Sequence, residues 1–138
     1  MMKNSVGKWN IAIGLSVMAG FMVYGFVLIY LRDFSPDKDA WIAASHIGRH
    51  FEARLAHVHG NLFSVLNILY GYLLLKLQIN GGIAKWVSRL AIAGLLMPLG
   101  ILAELYLGLP FYLVLLGAIS IVVATLLLAF GVVRMKKV

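Results

Sequence analysis

At 138 residues and 62% hydrophobic, the chain is one small domain whose composition excludes an ordinary soluble fold. It contains no cysteine, which excludes disulfides, thiolate metal sites, iron–sulfur clusters and covalently attached c-type haem. Its net charge of +7 is concentrated between and beyond the apolar stretches, so we interpret the charge as a membrane-topology signal. We expect no nucleic-acid partner.

Four nearly uncharged stretches are each long enough to cross a bilayer. A helix rises about 1.5 Å per residue, so roughly 20 apolar residues span a hydrocarbon core of about 30 Å. We predict spans over residues 10–30, 55–75, 90–109 and 111–133. The predicted fold class is therefore all-α, an integral membrane four-helix bundle that forms a single transmembrane domain.

Two prolines shape the second half of the chain. Pro110 follows Gly108, and this pair predicts a tight reversal between the third and fourth spans. Pro98 lies inside the third span, where we expect it to kink the helix without ending it.

The first loop is the only sizeable segment predicted outside the bilayer. Pro36, Asp37 and Asp39 are typical of a helix start, and only Gly48 interrupts residues 40–54. We predict a short amphipathic helix on the outer surface. Whether it continues into the second span is left open.

Charge is distributed very unequally between the two predicted sides of the membrane. The side with both termini carries eight cations and no acid, whereas the first loop is neutral overall. These cations are Lys3, Lys8, Lys76, Lys85, Arg89, Arg134, Lys136 and Lys137. The positive-inside rule predicts a multi-pass protein of the cell membrane with both termini in the cytoplasm.

The polar residues of the spans are predicted to lie at one depth in the outer half. His57, His59 and Asn61 open the second span, and Glu104 and Tyr106 close the third. An off-centre polar cluster of this kind predicts a site that opens toward the outer leaflet. A carboxyl group inside a span marks either a functional site or a structural hydrogen bond, and for Glu104 both interpretations stay open.

The four histidines differ in direction along the helix. At 100° per residue, His46, His50 and His57 fall within about 40° of one another on a continuous helix, whereas His59 points about 200° away from His57. His57 and His59 therefore cannot both ligate one metal from the same helix. The i, i+4 pair of His46 and His50 could chelate a cation, but a solvated interfacial pair explains it better. His57 and His59 are either interfacial histidines near the lipid headgroups or candidate axial haem ligands, since imidazole commonly ligates haem iron and both residues lead into an apolar span.

Residues 56–62, Ala-His-Val-His-Gly-Asn-Leu, resemble the His-x-Asn-Leu helix of haem-copper oxidase subunit I relatives. In those proteins the histidine two residues before Asn-Leu is an axial haem ligand. The resemblance implies that His59 ligates haem b, with His57 as the alternate. The other oxidase ligands are absent from this chain.

The four-span layout is also similar to the styrene oxide isomerase family, small membrane enzymes that bind haem b between subunits. Residues 88–108 resemble the third span of that family, and its active-site tyrosine corresponds to Tyr106. The resemblance implies a homo-oligomer in which ferric haem acts as a Lewis acid on the epoxide oxygen of a small apolar substrate. Two asparagine positions of the family hold Val65 and Leu102 here, so Asn61 or Asn67 would have to substitute, with a different geometry.

Three functions follow as expectations. The first is a membrane haem b protein that isomerises epoxides, with Tyr106, Asn61 and Glu104 as candidate catalytic residues. The second is a haem protein without enzymatic activity, serving electron transfer or gas sensing. The third is a haem-free small transporter or accessory subunit in which Glu104 titrates protons.

Overall fold

The computed structural model describes residues 6–135, and these residues form helices with no strand among them. The helices are α1 (Val6–Asp33), α2 (Lys38–Ala43), α3 (Gly48–Lys76), α4 (Gly81–Gly94), α5 (Leu96–Leu107) and α6 (Tyr112–Val133). The predicted all-α fold is confirmed. Three of the eight cations counted on the side with both termini lie outside the described residues, namely Lys3, Lys136 and Lys137.

Four helical segments are long and apolar enough to cross a membrane. They are α1, α3, the α4–α5 pair taken together as Gly81–Leu107, and α6. Successive segments run in opposite directions along the bundle. Hereafter the "α2 end" is the end at which α2 lies, and the "terminal end" is the opposite one, where the described chain begins and finishes.

The third span is a broken helix that starts earlier than predicted. It begins at Gly81, where the Asn80 side chain accepts a hydrogen bond from the Gly82 backbone N–H at 2.9 Å. The helix is interrupted at the single residue Leu95, between α4 and α5, although its backbone dihedrals stay in the α-helical region. Pro98 explains the interruption because it has no N–H to donate to the carbonyl of Gly94, four residues earlier. The interruption lies about one turn before the proline, where its missing N–H acts; the predicted kink stays a prediction.

The first loop differs from the predicted helix over residues 40–54. The chain forms the short α2, then a turn, and α3 begins at Gly48 with a positive φ of 63°. This left-handed conformation is disfavoured for residues with a Cβ, so glycine is what permits the break. Residues 49–54 are thus the first turns of the second span, whereas His46 lies in the turn before it.

Glycines allow the helices to approach closely. α1 packs along α3, and a Cβ placed on Gly7 or Gly71 would overlap the backbone of the other glycine. α4 and α5 pack along α6, where Gly94 meets Ile121 and Gly117 meets the backbone of Met97. Small residues at such contacts are the usual means of helix association in lipid, where the hydrophobic effect does not drive helices together.

A polar network crosses the interior of the bundle near the terminal end, where the sequence indicated mainly apolar residues. Asn10 of α1 and Asn67 of α3 have no exposed surface. The Asn10 amide donates to Asn67 Oδ1 at 3.1 Å and to the Ser88 carbonyl at 3.0 Å, and Asn67 donates to the Ala91 carbonyl at 2.8 Å. These bonds join α1, α3 and α4.

Candidate functional site

His57 lies on the side of α3 that faces α1, in the third of α3 nearer the α2 end. The imidazole reaches α1 at Gly25, and a Cβ built on that glycine would sit 2.9 Å from His57 Cε1. The ring centroid of Tyr24 is 6.4 Å from that of His57. The absence of a side chain at Gly25 therefore makes the room that the imidazole occupies.

The imidazole of His57 borders an open apolar groove. The groove has a volume of about 440 Å³. Its other lining residues all come from α1: Met22, Gly25, Phe26, Leu28 and Ile29. His57 Nδ1 is buried and has no hydrogen-bond partner among the described residues. A buried polar atom without a partner is costly, at about 1–3 kcal/mol.

His59 differs from His57 in its surroundings. Its Nδ1–H donates to the carbonyl of Leu55, one turn earlier in α3, at 2.9 Å. Its ring meets Phe63 edge-on, with centroids 5.9 Å apart. The bond at Nδ1 leaves Nε2 as the unprotonated nitrogen of the neutral ring, the arrangement common among metal-ligating histidines.

Tyr106 forms a phenol pair with Tyr24 beside His57. The two hydroxyl oxygens are 2.9 Å apart and the rings meet edge-on. The Arg49 guanidinium lies 6.0 Å from the centroid of the Tyr106 ring. Tyr106 is therefore separated from His57 by a single side chain, that of Tyr24.

Asn61 and Glu104, the other candidate catalytic residues, do not join this cluster. The Asn61 amide donates to the His57 carbonyl of its own helix at 2.9 Å. Glu104 is exposed on α5 and, within residues 6–135, its side chain forms neither a hydrogen bond nor an ion pair. The carboxyl group therefore faces outward from the bundle.

His46 and His50 do not form the i, i+4 pair that a continuous helix would create. His46 is exposed in the turn before α3. His50 is buried instead of solvated, and its ring stacks on Trp41 of α2 with centroids 4.3 Å apart. Its Nδ1–H donates to the Trp41 carbonyl, which ties α2 to the start of α3. Nowhere in residues 6–135 do three His, Asp or Glu side chains converge as metal ligands.

A second cavity lies at the α2 end, above the phenol pair. It has a volume of about 440 Å³ and is bounded by α2, the first turn of α3 and the last turn of α5. Arg49, His50 and Tyr106 are among its lining residues. Tyr106 thus borders this cavity, whereas His57 borders the groove between α1 and α3.

The groove is apolar apart from His57, and the neighbouring Gly25 leaves space for the imidazole. His57 Nδ1 has no hydrogen-bond partner among the described residues. Because imidazole is a common metal ligand, His57 is the candidate ligand at this groove. No protein-family model matches the chain, and no curated protein or solved structure matches it either.

Proposed function

We propose that this protein is an integral membrane haem b protein in which His57 ligates the iron from the groove between α1 and α3. The observation that carries the proposal is the His57 imidazole, buried at Nδ1 without a partner beside Gly25 and open to an apolar groove. Imidazole is a common axial haem ligand, and an apolar surrounding favours retention of the macrocycle.

The groove favours His57 over His59, the ligand implied by the oxidase-like motif. His59 has the suitable tautomer, but its ring packs on Phe63 of its own helix. His57 meets α1, and the groove walls are α1 side chains. A ligand held by His57 would therefore contact two helices.

The test is an absorption spectrum of the detergent-purified protein, ferric and after dithionite reduction. We expect a Soret band in the unmodified protein, its loss in His57→Ala and its retention in His59→Ala, the matched control two residues away. The reverse pattern would move the ligand to His59. A colourless protein, even after expression with haem precursor, would overturn the proposal and leave proton transfer at Glu104 as the remaining hypothesis.

Epoxide isomerisation is the second candidate function, and the phenol pair favours it. When two hydroxyl groups share one hydrogen bond, one proton is used between them and the other stays available. Tyr106 lines the cavity at the α2 end, so the Tyr24–Tyr106 pair can present one O–H to an epoxide oxygen bound there. Haem held by His57 would supply a Lewis-acidic iron from the neighbouring groove, and the ring centroids of His57 and Tyr24 are 6.4 Å apart. Conversion of styrene oxide to an aldehyde that falls in Tyr106→Phe, with the Soret band unchanged, would support this role.

The spin state separates an isomerase from a haem protein without enzymatic activity. An isomerase needs an open iron position, which gives a high-spin ferric spectrum, whereas a second axial ligand gives a low-spin one. We also propose that the protein forms a homo-oligomer, since the groove is open on the outer surface of α1 and a neighbouring copy would cover it. The mass of the haem-loaded complex, measured by light scattering with detergent correction, tests this.

A further inference from the structure

The groove beside His57 continues toward the α2 end into a more polar space. A cavity of about 400 Å³ shares Leu28 and Ile29 with the groove, so the two spaces follow one another along α1. The polar residues that line it are Arg32, Ser45, His50 and Arg54. One end of the combined space is therefore apolar, and the other carries two guanidinium groups.

The two arginines differ in what they already bind. Arg32 forms a bidentate ion pair with Asp33, through hydrogen bonds of 2.9 and 2.8 Å. Arg54 donates only a long bond of 3.4 Å to the Ser45 carbonyl, and no carboxylate within residues 6–135 pairs with it. His50, the remaining ionisable group of the cavity, is committed to Trp41. Arg54 thus retains most of its donors.

Arg54 is also aligned with His57. The two residues are three apart on α3, so they lie on adjoining positions of one helix face, about 4.5 Å apart along the axis. Arg54 is the one nearer the α2 end. A rigid ligand held by His57 can therefore extend along the groove and present its far edge to the Arg54 side chain.

We infer that Arg54 binds the propionate carboxylates of haem b; this inference rests on the proposed function. Haem b is an apolar macrocycle with two carboxylates on one edge, and the space beside α1 is apolar at His57 and cationic at Arg54. A guanidinium group presents a planar fork of N–H donors that matches a carboxylate, and such charge-assisted pairs are about twice as strong as neutral hydrogen bonds. Arg54 thereby sets the orientation of the cofactor, with its carboxylates toward the α2 end.

The experiment compares haem b with its dimethyl ester, in which both carboxylates are blocked. Each porphyrin is titrated into the haem-free, detergent-solubilised full chain, and the Soret band is recorded. We expect the unmodified protein to bind haem b about 10- to 100-fold more tightly than the ester. Arg54→Gln should weaken haem b binding by that factor and leave ester binding unchanged, with the Soret maximum of the bound form unmoved because the iron ligand is intact.

Arg49→Gln is the matched control, since Arg49 lies at the same end but faces Tyr106 and the other cavity. It should preserve the preference for haem b, and Arg54→Lys should restore part of it. Equal weakening of both porphyrins by Arg54→Gln, or no weakening of either, would overturn the role of Arg54. Failure of the unmodified protein to bind either porphyrin would overturn the haem function itself, so the two failures are distinguishable.

Discussion

His57 and His59 show how two neighbouring residues of one type acquire different environments. Both lie on α3 in the same short motif, but His57 meets α1 at Gly25, whereas the ring of His59 packs on Phe63 of its own helix. His59 satisfies its Nδ1 with a carbonyl of its own helix. The difference arises because a separation of two residues turns the side chain by about 200°.

Gly25→Ala tests whether the space beside His57 matters. The new methyl group would meet His57 Cε1 at 2.9 Å, and the imidazole, being the end of a side chain, would shift. We expect haem affinity to fall about 10- to 100-fold, the usual effect of disturbing the support of a metal ligand. A Soret titration measures this.

Gly20→Ala on the same helix is its control, because nothing lies within 4 Å of a Cβ at Gly20. Both substitutions remove a helical glycine, which by itself stabilises α1 by about 1 kcal/mol or less. Equal haem affinity in the two variants would contradict the importance of the Gly25 contact.

At the scale of helices, the bundle combines close glycine contacts with buried amide bonds. Gly7 and Gly71 bring α1 and α3 together near the terminal end, and the Asn10–Asn67 bond crosses the same interface. The Ser88 hydroxyl of α4 lies within hydrogen-bond distance of two acceptors on α1, the Val6 carbonyl and Asn10 Oδ1. These contacts lie far from His57 along the same two helices, and thus maintain the register in which His57 faces Gly25.

Asn67→Ala should destabilise the bundle because it leaves the buried Asn10 amide without one acceptor. We expect a loss of about 1–2 kcal/mol, the range for hydrogen bonds between helices in a membrane and for buried groups that lose a partner. The free energy of unfolding can be measured by titrating denaturing detergent into mild micelles and following the helical circular dichroism signal.

Asn61→Ala provides the comparison, since the Asn61 amide bonds only to the His57 carbonyl of the same helix. Its loss should change the free energy of unfolding by less than about 0.5 kcal/mol. An equal cost for the two asparagines would mean that the network between helices contributes nothing beyond local bonding.

For the whole molecule, the distribution of charge predicts its orientation in the membrane. Cations without acids flank the spans at the terminal end, whereas the segment around α2 is neutral overall. Lys and Arg in short loops are retained on the cytoplasmic side, so the α2 end should face outward.

Cysteine labelling tests this orientation without background because the chain has no cysteine. Lys38→Cys places a thiol at the start of α2, and Gln78→Cys places one in the exposed link between α3 and α4. In intact cells an impermeant maleimide should label the first variant, and the second only after permeabilisation. The opposite pattern would invert the topology, while labelling of both in intact cells would contradict a four-span bundle.

The sequence by itself determined the helical class, four segments long and apolar enough to span a membrane, the disturbance of the helix by Pro98 and the divergent directions of His57 and His59. These follow from hydropathy, from the missing proline donor and from helical periodicity, all of which are local properties. The break before Gly48 was the local feature that the sequence left ambiguous, because glycine is compatible with both a helix and a left-handed turn.

Only the tertiary structure decided which residues meet. It placed His57 against Gly25, paired Tyr24 with Tyr106, buried the Asn10–Asn67 bond and turned Glu104 outward. Periodicity gives the angle between two side chains on one helix, but not the rotation of that helix about its own axis relative to its neighbours. That rotation is set by packing across the bundle, where glycine contacts and buried amides distinguish one arrangement from the others.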